Sequence, residues 1–214
     1  GAEEVIVWDN HGSGVNLHYD LLDTRCRIAL GSGHRVRFPS IDEGFGGVLF
    51  IGYHAREGTR SAVLSHTYSS TTFQSYQING MEVGEMEIDA AFAGEYGVPP
   101  IFASSDHLAV AQAKESFPWI EVVSTKEALS WNSAISLHPA AAQEAIYLGV
   151  VKACGRLNEM KPFTFASPLN LRIRYKRMDE ANAAPLYDRN RVPFAFEDAF
   201  TRIGSIGHIT DIFN

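Results

Sequence analysis

Short apolar runs, each too brief for a helix and bounded by turn residues, recur along this chain with helix-like stretches between them. They fall at Val5–Trp8, Arg27–Leu30, Val48–Tyr53, Pro100–Ala103 and Glu121–Val123, and a later Leu169–Tyr175 alternates apolar and polar residues. A strand covered on both faces reads as a continuous apolar run, whereas one with a wet face alternates. The pattern predicts an α/β fold: a mostly parallel sheet with helices on both faces, and a C-terminal α/β segment.

The intervening stretches carry helix signals. A helix is expected from Gly84 or Glu85 to Gly97, which puts Glu85 in its first turn. Asp106 is a good N-cap for a helix from His107 to about Phe117, and His138–Leu157 reads as the longest helix, with Pro139 at its first position. Asn79-Gly80 sits between two β-rich segments, a hairpin signal because both positions tolerate positive φ. Beyond Pro168 the chain turns more basic and aromatic, and FEDAFTRIGSIGHITDIF at 196–213 predicts two short closing helices. The expectation is one domain over 1–214, with 160–214 as an appended segment. GAEEVIVW reads as the end of a helix-to-strand connection, so a preceding strand and helix are expected upstream and the domain is taken as N-terminally incomplete.

Composition narrows the function. Forty-five per cent hydrophobic residues in 214 suffice for a packed core. A net charge of -7 without any block of like charge argues against nucleic acid as the main partner. Cys26 and Cys154 form neither a disulfide framework nor a Cys-x-x-Cys metal motif, which favours a reducing cytoplasm. No apolar run approaches the roughly 20 residues of a membrane span, so no membrane partner is expected.

Two histidines follow strand-like runs closely, His11 after VIVWDN and His54 after VLFIGY. Ligand sites in open α/β sheets gather at the carboxyl ends of strands, so these imidazoles could converge. With Glu85 they make a donor set that suits Zn²⁺ and leaves a position open. Each residue also has a plainer reading: a histidine capping a strand, an acid favoured by the helix dipole. His66, in a Ser/Thr-rich loop, is either an acid/base group or an exposed side chain. His18, His34, His107, His138 and His208 read as surface or capping residues. The GSG pairs at 12–14 and 31–33 complete no phosphate-binding pattern, and Ser65 lies in no nucleophile elbow.

EEVIVWDNHGSGVNL, GVLFIGYHA, VLSHTYS, INGMEVGE and GVPPIFASSDH, in this order and spacing, resemble the bacterial zinc-dependent D-aminopeptidases of the dipeptide-permease operon type. The likeness is specific over the first half and weaker but collinear to the end. It implies a dinuclear zinc site that hydrolyses the peptide bond after an N-terminal D-amino acid of a small peptide. It further implies that His11 and Glu85 bind one zinc, that His54 binds the other and that His66 is the catalytic histidine. The family also forms rings, so a homo-oligomer is implied, with the Asn79-Gly80 hairpin and the apolar stretch 194–213 as contact surfaces. Two alternatives stay open: a zinc amidase or peptidase for L-residues or other small amides, and a non-catalytic assembly or binding protein that keeps the fold.

The family's Ser-x-Asp-x-Glu-Gly block, whose Asp bridges both metals, has no counterpart here. Among them His11, His54 and Glu85 offer one formal negative charge to two Zn²⁺ ions. The expected outcome is that the 214-residue chain holds zinc weakly and turns over little, unless Asp9 or Asp106 moves into the site. Metal analysis and a peptidase assay check this, and stoichiometric two-zinc loading with full activity is the contrary result.

Overall fold

In the computed structural model, which describes residues 2–33 and 37–213, the six apolar runs all become strands. These are β1 Ile6–Trp8, β2 Arg27–Ala29, β3 Val48–Ile51, β6 Pro100–Asp106, β7 Glu121–Ser130 and β9 Leu169–Tyr175. The expected hairpin is β4 Phe73–Ile78 with β5 Met81–Val83, turning through Asn79 and Gly80 at φ 51° and 81°. The three expected helices are α1 Glu85–Gly94, α2 His107–Ser116 and α3 Pro139–Gly155.

The parallel pairings are those of β1 with β2, β3 with β6, and β6 with β7. β6 has no exposed residue, as a strand covered on both faces requires. β8 Ser133–Ser136 extends this four-stranded sheet antiparallel to β7. A second sheet of five strands, ordered β10-β11-β9-β4-β5, is antiparallel throughout, with β10 at Ala195–Asp198 and β11 at Thr201–Ile206. The α/β class therefore stands, with a larger antiparallel share than one hairpin supplies. The segment from 160 enters this sheet directly, since β9 lies between β4 and β11.

Alternation within each strand sorts the side chains into layers. On α1, Ile88, Ala91 and Phe92 pack with Ile78, Leu171 and Ile173 of the antiparallel sheet. Met86, Ala90 and Ala93 pack the other way, with Val48, Phe50 and Ala103 of the parallel strands. The helix thus lies between the two sheets, and nine of its ten residues are buried. On the far side of the parallel sheet, Ile101 and Phe102 meet Ala153 of α3.

The two closing helices expected within 196–213 are corrected to the β10–β11 hairpin and a single 3₁₀ turn at Ile209–Phe213. Asp198 accepts from the Phe200 backbone N–H at 2.7 Å and shapes the turn, and six residues of β11 pair with β9, which outweighs the propensity of so short a helix. Phe194, Ile206 and Ile209 are buried in the core, so much of the apolar C-terminal stretch packs within its own chain. Unforeseen elements are β8, the second half of β7 and the helix α4 Met178–Ala183, whose polar, short sequences carry little periodic signal.

Gly94 ends α1 where a Cβ would collide with the carbonyl of Phe163. Gly94→Ala is expected to lower stability by about 1–3 kcal/mol in urea denaturation. An unchanged midpoint and slope would show that the 163 segment yields freely.

Candidate metal centre

Three chain passages meet at the carboxyl end of β3. Gly52, at φ +74°, turns the chain out of the strand, and the side chains of Tyr53 and His54 follow. The loop carrying His66 is pinned at both ends: His66 N–H donates to Ala55 O at 3.2 Å, and Leu64 N–H to Trp131 O at 2.7 Å. Trp131 Nε1–H returns a bond to Ser65 O at 3.2 Å. Glu85 opens α1 beside them. Its predecessor Gly84 passes close over Arg56, where a Cβ would lie 2.9 Å from Arg56 Cβ.

The result is a compact donor cluster. The ligand atoms of His54, His66 and Glu85 lie within 4.8 Å of one another. His54 Nε2 is 3.4 Å and His66 Nε2 3.8 Å from the same Glu85 Oε1, and the two rings stack with centroids 3.8 Å apart. Each Nδ1 faces a backbone carbonyl, His54 to Ala55 O at 3.2 Å and His66 to Leu64 O at 2.6 Å. A carbonyl only accepts, so in the neutral rings the proton sits on Nδ1 and Nε2 presents its lone pair. Burial lowers the His54 pKa and outweighs the upward pull of Glu85, with the charges of His66 and His11 adding to the fall. With both rings neutral, two imidazole lone pairs converge on a carboxylate oxygen that already accepts the Tyr68 N–H at 2.8 Å. A cation with nitrogen and oxygen affinity relieves that arrangement, so the donor set fits Zn²⁺.

His11 lies on an exposed loop beyond β1 and outside this cluster, although its charge reaches His54. Asp9 organises that loop, accepting from Asn16 N–H, Asn16 Nδ2–H, Leu17 N–H and Tyr19 O–H, while Asn16 Nδ2–H also bonds to His11 O. Burial opposes the Asp9 charge, but these donors outweigh it and hold its pKa down at about 2. Asp106 is equally committed, capping α2 through Leu108 N–H and Ala109 N–H and accepting from Val63 N–H. Neither carboxylate is available as a substitute ligand in this fold. His107 and His138 accept from Ala128 N–H and Ala140 N–H, His18 and His208 are exposed, and His34 falls outside the described residues.

Asn10 reads in the sequence as a turn residue or one standing behind the ligands, but sequence reasoning missed the other residues directly behind the cluster: Arg37, Tyr53 and Asp89. Asp89 is fully buried, and Tyr53, whose phenol is raised well above its usual pKa by burial, donates to it at 2.7 Å. The available signal was an acid in the middle of an otherwise apolar helical turn, IDAAFA, one turn after Glu85.

The profile of the D-aminopeptidase family of peptidases matches residues 1–193. The chain is 30% identical over 187 residues to a D-aminopeptidase of Bacillus subtilis (strain 168), which covers 87% of this chain and 68% of that protein. A solved structure, described as the Zn-dependent D-aminopeptidase DppA from Bacillus subtilis, a self-compartmentalizing protease, superposes with TM-score 0.92 at 26% identity. That match covers all of this chain and 76% of the other. With the histidine and glutamate blocks falling inside the matched span, this chain belongs to the D-aminopeptidase family.

Proposed function

We propose that the protein is a zinc-dependent aminopeptidase that hydrolyses the bond after an N-terminal D-residue of a small peptide. The observation that carries this reading is the convergence of His54 Nε2 and His66 Nε2 on Glu85 Oε1, at 3.4 and 3.8 Å, in a family member. His54, Glu85 and the nearby His11 are the residues proposed to hold zinc, as a pair of ions. Zinc, when bound, supplies Lewis acidity at the peptide carbonyl and a water nucleophile available near neutral pH.

The protein's own groups do the rest. Glu85, whose Oε1 accepts the Tyr68 N–H, gives the centre its anionic ligand in a fixed orientation. His54, kept neutral by burial, presents Nε2 rather than a competing proton. His66 Nδ1 faces Leu64 O and so carries the proton, which leaves Nε2 to take a proton and, once protonated, to return it to the leaving amine or donate to the tetrahedral oxygen. The description of DppA as self-compartmentalizing supports a homo-oligomeric, ring-forming assembly. Exposed Trp131 and Ile135 at the β7–β8 turn and Tyr147, Leu148 and Val151 on α3 are apolar surface of the kind such contacts bury. Both cysteines are unpaired, in keeping with a cytoplasmic location, and no helix among the described residues is long and apolar enough to cross a membrane.

His66→Ala is expected to lower the chain's residual kcat by about 100-fold or more with zinc content equal to wild type's. Loss of zinc without a specific effect on turnover would make His66 a ligand instead. On a panel of D- and L-aminoacyl amides, such turnover as the chain shows is expected in the D series; equal or preferential cleavage of the L series would overturn the stereochemical assignment.

A further inference from the structure

The residues flanking the proposed ligands converge as the ligands do. Asn10 precedes His11, Tyr53 precedes His54, and Asp89 lies one helical turn after Glu85 on α1. Asn10 Nδ2–H donates to Tyr53 Oη at 2.9 Å, and the Tyr53 hydroxyl donates to Asp89 Oδ2 at 2.7 Å. The Asn10 amide also reaches Asp89 Oδ2 at 3.5 Å. From the other side Arg37 grips the same carboxylate with both arms, Nε–H to Oδ1 at 2.7 Å and Nη2–H to Oδ2 at 2.5 Å. The guanidinium in turn lies over the Trp8 ring, 4.7 Å from its centroid, at the end of β1. The end of β1, the end of β3 and the first turns of α1 are therefore tied through a carboxylate with no exposed surface.

We propose that Asp89 is the positioning residue of the metal centre, setting His11, His54 and Glu85 in mutual register through Asn10, Tyr53 and its own helix. The inference rests on the metal-site reading above. Stability alone does not account for such a carboxylate, because a buried Arg–Asp pair can be exchanged for apolar side chains at little or no net cost. A metal centre does account for it. Ligands contributed by three separate chain passages must be held to within about 0.5 Å, and hydrogen-bonded groups behind the ligands supply that constraint. Tyr53 is the discriminating link: its hydroxyl joins the Asn10 and Asp89 arms, while its ring packs on Phe50 at 4.8 Å whether or not the hydroxyl is present.

The test is a Co²⁺ titration of the full chain, followed by visible absorption, together with thermal unfolding, on wild type, Tyr53→Phe, Asp89→Asn and His54→Ala. Titrations are run well below every Tm. Tyr53→Phe is expected to keep the fold but raise the Co²⁺ Kd by about 10-fold or more and alter the shape of the d–d bands, as loss of a group behind a ligand does. Asp89→Asn, where it folds, is expected to have the larger effect. If Tyr53→Phe lowers Tm yet retains the wild-type Kd and spectrum, Asp89 is a structural residue and the proposal fails. If wild type binds no Co²⁺, or His54→Ala binds as wild type does, the metal-site reading itself fails and takes this inference with it.

Discussion

Helix α1 is enclosed by two sheets, yet three of its first five residues are acids. A buried carboxylate is costly unless it is paired or hydrogen-bonded, so each of the three dictates what must stand opposite it. Glu87 accepts the Gly84 N–H at 2.8 Å and the Ser116 hydroxyl at 2.7 Å, closing the start of α1 and tying it to α2. Asp89 takes Arg37 and Tyr53. Glu85 has the Tyr68 N–H and two imidazoles whose lone pairs point at it. Of the three, Glu85 alone faces other electron-rich atoms, and that asymmetry marks it as the acid that waits for a cation.

The layering explains why the cluster forms where it does. Parallel β3 and β6 fix the level at which the chain leaves the sheet, and α1 is held against them by Met86, Ala90 and Phe50. The first turn of α1 then sits beside the carboxyl end of β3, where loops are free to carry polar side chains. The loop from Arg56 to Ser65 would be long and loose by itself. Its bonds to Ala55 and to the β7–β8 turn bring His66 back over His54.

Much of this was legible in the sequence because burial on two faces leaves so simple a trace. All six apolar runs became strands, Asp106 and Pro139 began the helices they were expected to begin, and the hairpin turned at Asn79-Gly80. His11, His54, His66 and Glu85 stand out in the sequence from their places after strands, in a polar loop and in a first helical turn. What stayed hidden depends on pairing across long sequence separation. The 196–213 stretch reads as helical until β9 is there to pair with it, and β8 is recognisable only beside β7. The Asn10–Tyr53–Asp89 network joins residues up to 79 positions apart, so no local pattern announces it. The closeness of His66 to His54 likewise depends on bonds to Ala55 and to the distant Trp131.

The proposed zinc ligands His54 and Glu85 are what the function depends on. Anomalous diffraction at the zinc edge from crystals of the zinc-loaded protein tests that assignment most directly. The predicted result is two peaks, one about 2.0–2.2 Å from a Glu85 carboxylate oxygen and one at the same range from His54 Nε2, with no cysteine sulfur among their ligands. A peak placed away from this cluster, or none at saturating zinc, would contradict the reading of Glu85 as the acid that awaits a metal.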